Sequence, residues 1–196
     1  MRTWAETLTT KDVWWGYGDA PHTAIQACVV LGLEEVKRAG LEAPMLDAAR
    51  STLAGMRSAT GMYPYSKGCD TYEDDIPFSL GRTLIADWAL FRGGALSKDD
   101  LSRSLDLYLD HWAEVWGPRG KSNRVEVESD YFLFTRWYAM QIAREIGRLD
   151  DGKVCVIRRL LLEHQDADGA WLDSILKTGR PSGTALGILA MLASRH

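Results

Sequence analysis

A fold made only of α-helices, arranged as about four helical hairpins in two layers, is predicted by three features of this 196-residue sequence. Four stretches rich in small and apolar residues open near residues 22, 77, 130 and 182, at intervals of 55, 53 and 52. Between them run segments whose apolar residues fall on one stripe, at the spacing of an amphipathic helix. No segment keeps up the alternation of a half-buried strand, so negligible sheet is expected.

The first small-residue stretch follows the turn Trp14-Trp15-Gly16-Tyr17-Gly18 and runs from Thr23 to Leu31. The second follows Gly61-Met62-Tyr63-Pro64-Tyr65 and runs from Ser79 to Leu90. The third runs from Tyr131 through Phe134, Trp137 and Tyr138 to Met140. The fourth follows Gln165-Asp166-Ala167-Asp168-Gly169-Ala170-Trp171 and runs from Ser182 to Leu192. Residues 98–116 carry Leu101, Leu105, Tyr108, Trp112 and Val115 on one stripe, with Ser97 as N-cap and Asp100 three residues on. Residues 44–58 and 152–165 read in the same way, Pro44 suits a first helical turn, and Gly40 and Gly93-Gly94 stand where helices should stop. Helices rich in Ala, Gly, Ser and Thr can approach closely and suit an inner layer. The bulkier one-faced helices suit an outer layer that meets water.

The length is that of one domain, 1–196, large enough for a core without disulfides. A net charge of −4 supplies no basic footprint, so no nucleic-acid partner is expected. No apolar run approaches the ~20 residues that span a bilayer. The first residues show no signal-peptide segment, which predicts a cytoplasmic chain or one already trimmed of a targeting segment. Cys28, Cys69 and Cys155 are widely spaced with no C-x-x-C pair, against a disulfide framework. Cys28 and Cys155 sit in apolar runs, where a thiol is usually a small buried hydrophobe.

The stretch from Tyr131 to Leu192 resembles the repeat of the α/α-toroid proteins typified by protein prenyltransferases and squalene cyclases. The resemblance rests on Tyr131 to Phe134, Tyr138-Ala139-Met140-Gln141, Gln165, Asp168-Gly169-Ala170-Trp171 and Gly183-Thr184-Ala185 with the apolar helix that follows. Ala170 stands where that repeat usually has serine. The resemblance implies an α/α toroid, or a partial one. It also implies that Gln165 satisfies backbone groups at a helix end while Trp171 packs beneath it, with Asp168 and Gly169 forming the turn. Complete toroids of this kind close with five to seven hairpins. About four hairpins therefore imply an open or small ring, or one completed by another domain or a second copy. Such a fold does not by itself specify an activity.

Class II cyclases of the resembled family carry an Asp-x-Asp-Asp acid, and the nearest stretch here is Tyr72-Glu73-Asp74-Asp75. Glu73, Asp74 and Asp75 are thus the candidate catalytic acids. Such an acid must be kept neutral by burial and neighbouring charge. The simpler role is to cap the helix that begins near Pro77. A zinc site of the kind the resemblance implies would draw on His22, Cys28, Cys69, Asp70 and His164, whose spacing gives no ligand pair, so no metal is expected. Tyr17, Tyr131, Phe134 and Trp137 are candidate cavity-lining aromatics, suited to an apolar or isoprenoid ligand. Arg82 and Arg136 interrupt apolar helices and require a carboxylate or an anionic ligand, with Asp87 and Asp130 as internal candidates. No cofactor is expected, since no P-loop, dinucleotide fingerprint, G-x-S-x-G or H-E-x-x-H is present. The expected function is a scaffold that binds an apolar ligand or a partner on a concave face. Its alternatives are an isoprenoid cyclase using the acidic cluster, or half of a larger ring.

Overall fold

The computed structural model describes residues 15–16, 21–67, 76–116, 132–171 and 180–195. Among these, seven helices follow one another: α1 (Thr23–Arg38), α2 (Leu46–Ala54), α3 (Ile76–Arg92), α4 (Lys98–Trp116), α5 (Phe132–Glu145), α6 (Gly152–Glu163) and α7 (Arg180–Ala193). The described residues hold no strand, only an isolated antiparallel bridge between His22 and Ser66. None of the described helices is long and apolar enough to cross a membrane.

Local chemistry sets the helix ends. Gly40, Gly94 and Gly147 follow α1, α3 and α5 with φ of 79°, 77° and 76°, a conformation that carries almost no steric cost for glycine. In each case the next N–H reaches back five residues: Leu41 to the Val36 carbonyl at 3.2 Å, Ala95 to Leu90 at 2.9 Å, Arg148 to Ala143 at 2.7 Å. Helix α4 starts on a reciprocal capping box. Ser97 Oγ accepts from the Asp100 N–H at 3.1 Å, and the Asp100 carboxylate accepts from the Ser97 N–H at 2.9 Å. Asp151 caps α6 by accepting from the Lys153 N–H at 2.8 Å. Two expected helices are shorter than their periodicity suggested. Helix α2 begins at Leu46, so Pro44 precedes it rather than lying in its first turn, and α6 ends at Glu163.

The helices pack in a simple order. Helix α1 lies on α3, α3 on α5 and α5 on α7, while α2 covers the α1–α3 junction, α4 the α3–α5 junction and α6 the α5–α7 junction. Tyr63, Leu84, Leu105, Leu133 and Ile157 are among the largest fully enclosed side chains. Arg50 ties α2 to α1 by donating from Nε to the buried Glu34 carboxylate at 2.7 Å. Arg148 ties the α5–α6 turn to α4, donating to Asp106 and Asp151, each at 2.6 Å. Those two carboxylates hold the guanidinium's proton well above the usual arginine range. The buried Gln26 donates to the Ala49 carbonyl at 3.0 Å and accepts from the Trp15 N–H at 2.9 Å.

The Gln165–Trp171 turn corrects the expected division of labour. The helix-end carbonyl, Leu161 O of α6, is satisfied by the Trp171 indole N–H at 2.7 Å. Gln165 instead closes its own turn, donating to the Gly169 carbonyl at 2.7 Å. Asp168 accepts from the Ala170 N–H at 3.1 Å, and Arg180 at the start of α7 binds Asp166 at 2.6 Å and also Asp168. The tryptophan ring then lies flat against α7 at Gly187, where an added Cβ would stand 2.6 Å from the ring. Gly187→Ala is therefore expected to lower stability by about 1–3 kcal/mol, although alanine is the better helix former by about 1 kcal/mol. Urea unfolding measures it, and stability equal to wild type would refute the close-contact account. Ser97→Ala should cost about 1 kcal/mol through loss of the cap.

Candidate functional site

On α3 a four-residue step places Trp88 and Arg92 on one stripe, and α5 does the same with Phe134, Trp137, Tyr138 and Glu145. Helix α1 contributes Cys28 and Glu35, seven residues apart. These stripes meet. Tyr138 lies edge-on to Trp88 at 5.3 Å and to Phe134 at 4.7 Å, and it stacks obliquely on Trp137 at 4.7 Å between centroids. Its hydroxyl stands 3.5 Å from Cys28 Sγ of α1. Helices packed side by side sit about 8–10 Å apart, so α1 and α5 would be too distant for that contact if they lay flat on either side of α3. They therefore converge over one side of it.

Charge closes the rim of this face. Arg92 lies over the Trp88 ring at 5.4 Å, bonds Glu35 of α1, and stands 3.3 Å from Glu145 of α5. The Trp88 indole N–H donates to the same Glu145 at 2.7 Å. Phe134 and Trp137 remain partly open to solvent on the face so formed. The Trp137 Nε1 is itself shielded, yet among the described residues it donates to no acceptor. An enclosed donor without a partner costs about 1–3 kcal/mol, which marks a place for an acceptor. Burial pushes the Cys28 thiol up, and burial together with the nearby thiol pushes Tyr138 up. Both stay protonated at neutral pH, so neither is poised as a nucleophile or base.

Of the residues singled out in the sequence, Phe134 and Trp137 thus come together, and the meeting of Trp88, Tyr138, Cys28, Arg92 and Glu145 around them was not foreseen. The four-residue step from Trp88 to Arg92 was the available signal. Cys28 and Cys155 are half-buried rather than fully buried, because each lies at the margin of its helix's packed face. Tyr17, Tyr131, Glu73, Asp74, Asp75, Cys69, Asp70 and Asp130 lie outside the described residues. His22 packs edge-on against Tyr65 at 4.7 Å, and His164 Nδ1 sits 2.6 Å from the Leu160 carbonyl. No three metal-ligating side chains cluster among the described residues.

Arg82 and Arg136 are both buried. Arg82 and Asp87, an expected pair, meet different groups. Arg82 donates to the Tyr63 carbonyl at 3.4 Å and lies over the Tyr65 ring at 5.8 Å. Asp87, on another side of α3, instead accepts from Ser104 of α4 and stands 3.7 Å from Arg57. Burial raises its pKa, with Ser104, then Arg57 and Tyr63, holding it partly down and Asp100 adding to the rise. Asp87 is thus a buried carboxyl that favours its proton, and it faces the interior rather than the aromatic cluster.

Comparison with protein-family models, curated proteins and solved structures finds no match.

Opposite pH effects follow from the carboxyl groups. The folded chain holds the Asp87 proton more tightly than the unfolded one, so this group's contribution is full below the ordinary carboxylate range and is lost as pH rises through its raised value. Asp151 behaves oppositely, since the Arg148 bond depresses it. Its contribution is present above that range and lost on acidification. Asp87→Asn should accordingly gain on wild type as pH rises above the ordinary carboxylate range, while Asp151→Asn should gain on wild type as pH falls below it. Chemical denaturation across that range tests both, and parallel curves for either variant would refute the assignment.

Proposed function

We propose that this chain is a ligand-binding helical scaffold of the α/α-toroid type, and that it takes an apolar ligand bearing an oxygen acceptor on the face shared by α1, α3 and α5. The observation that carries this reading is the half-open aromatic cluster around Trp137 with its unpaired, shielded indole N–H. A ligand of isoprenoid-alcohol character matches both features: hydrocarbon for Phe134 and Trp137, and a hydroxyl or carbonyl for Nε1. The protonated Tyr138 and Cys28 leave the face uncharged, while the Arg92–Glu35–Glu145 group leaves one excess negative charge at its rim.

The toroid part of the reading draws support from the packing order α1–α3–α5–α7 with the even-numbered helices across the junctions, and from the convergence of α1 and α5 over α3. The resemblance in Gln165–Trp171 points the same way. The reading is of binding rather than catalysis, because the groups on the aromatic face hold their protons and no activated nucleophile stands among them.

Calorimetric titration with farnesol is the direct test. Trp137→Ala should weaken binding by tenfold or more, as loss of a central aromatic anchor does. Trp137→Phe, which keeps a ring and removes the N–H, should weaken it by roughly fivefold to tenfold, the worth of one hydrogen bond. Wild-type affinity in Trp137→Ala would refute this site.

A further inference from the structure

Helix α7 turns its small residues inward and its large ones out. Gly183, Gly187, Ala190 and Ala193 are buried against the rest of the fold. On the opposite side Ala185, Ile188, Leu189 and Leu192 form a stripe in which the three large residues are 48%, 39% and 46% exposed. A helix that is apolar all round belongs in an interior, so this face calls for a cover. Its charges say which. Residues 181–194 carry no charge at all. At the N-terminal end of α7, Asp166, Asp168 and Arg180 form an exposed group with one excess negative charge. At the other end Arg195 is exposed and positive.

We propose that the stripe pairs with the same stripe of a second copy, the two α7 helices running antiparallel about a two-fold axis beside Ile188 and Leu189. Only that direction sets the acidic end of each helix against Arg195 of the other, and it also opposes the two helix dipoles favourably. Self-pairing through one patch is the geometry of a two-fold dimer. Under this symmetry Ile188 approaches the axis, whereas Ala185 faces the partner's Leu192. A helix of this length spans about 21 Å, and one such contact is at the small end of specific interfaces. The dimer is therefore weak and concentration-dependent. The proposal is independent of the aromatic face.

Sedimentation velocity of the full chain, from about 10 µM to 1 mM, should show a monomer–dimer equilibrium in the range expected of small interfaces. Leu192→Lys should weaken it by tenfold or more, since it buries an unpaired charge, while circular dichroism and thermal melting stay close to wild type because the site is exposed in the monomer. Under mild oxidation Ile188→Cys should give a covalent dimer well above the wild-type background, and Ala185→Cys should not. A monomer throughout, a dimer that Leu192→Lys leaves intact, or equal crosslinking of the two cysteine variants would each overturn the proposal.

Discussion

The enclosure of α3 is the constraint on which the rest of the arrangement depends. Every side chain from Ser79 to Leu90 is buried, and α1, α2, α4 and α5 all pack against this one helix. Burying Leu80, Leu84, Ile85 and Leu90 stabilises the fold by about 1.5–3 kcal/mol for each side chain. The same enclosure forces its polar members to find partners. Thr83 accepts from the Tyr63 N–H at 3.3 Å, Arg82 donates to the Tyr63 carbonyl, and Asp87 is held by Ser104 and Arg57. The loop that carries Arg57 and Tyr63 is thereby drawn onto α3. The same loop reaches α1, where Thr23 N–H donates to the Tyr65 carbonyl at 3.1 Å.

The proposed site is a consequence of what α3 does on its other side. There Trp88 and Arg92 project between α1 and α5, and the ion pairs of Arg92 with Glu35 and Glu145 draw those helices together. The exposed pair with Glu35 contributes little by itself. Its value is geometric, since it lies where Tyr138 meets Cys28 and the Phe134 and Trp137 rings are left half-open. Asp87 and Trp88 are adjacent in the chain and both enclosed, yet they serve opposite sides of the helix, one polar and the other aromatic.

Helix α7 shows the complementary case of a helix at the end of the packing order. Trp171 demands a glycine at 187, and close approach of α5 and α6 is served by the small residues beside it. The bulk of the helix's apolar side chains is left on the far side. What makes the inner contact tight thus also creates the exposed stripe.

Helices and their ends were legible in the sequence because they are set by neighbours a few positions away. The three-to-four-residue stripe of residues 98–116, the Ser97–Asp100 box and the stops at Gly40 and Gly94 all involve backbone groups within one or two turns. So did the prominence of Gln165 and Trp171, though not their roles. Which atom satisfies the Leu161 carbonyl depends on where the Trp171 ring can lie once α7 is docked. The partners of Asp87, the meeting of Cys28 with Tyr138 across 110 positions, and the orphaned N–H of Trp137 were decided only by tertiary structure. The physical reason is range. Helix formation and capping are local hydrogen-bond chemistry, whereas a binding face is made by helices distant in sequence, and its polarity is settled by which groups the packing encloses and which it leaves open.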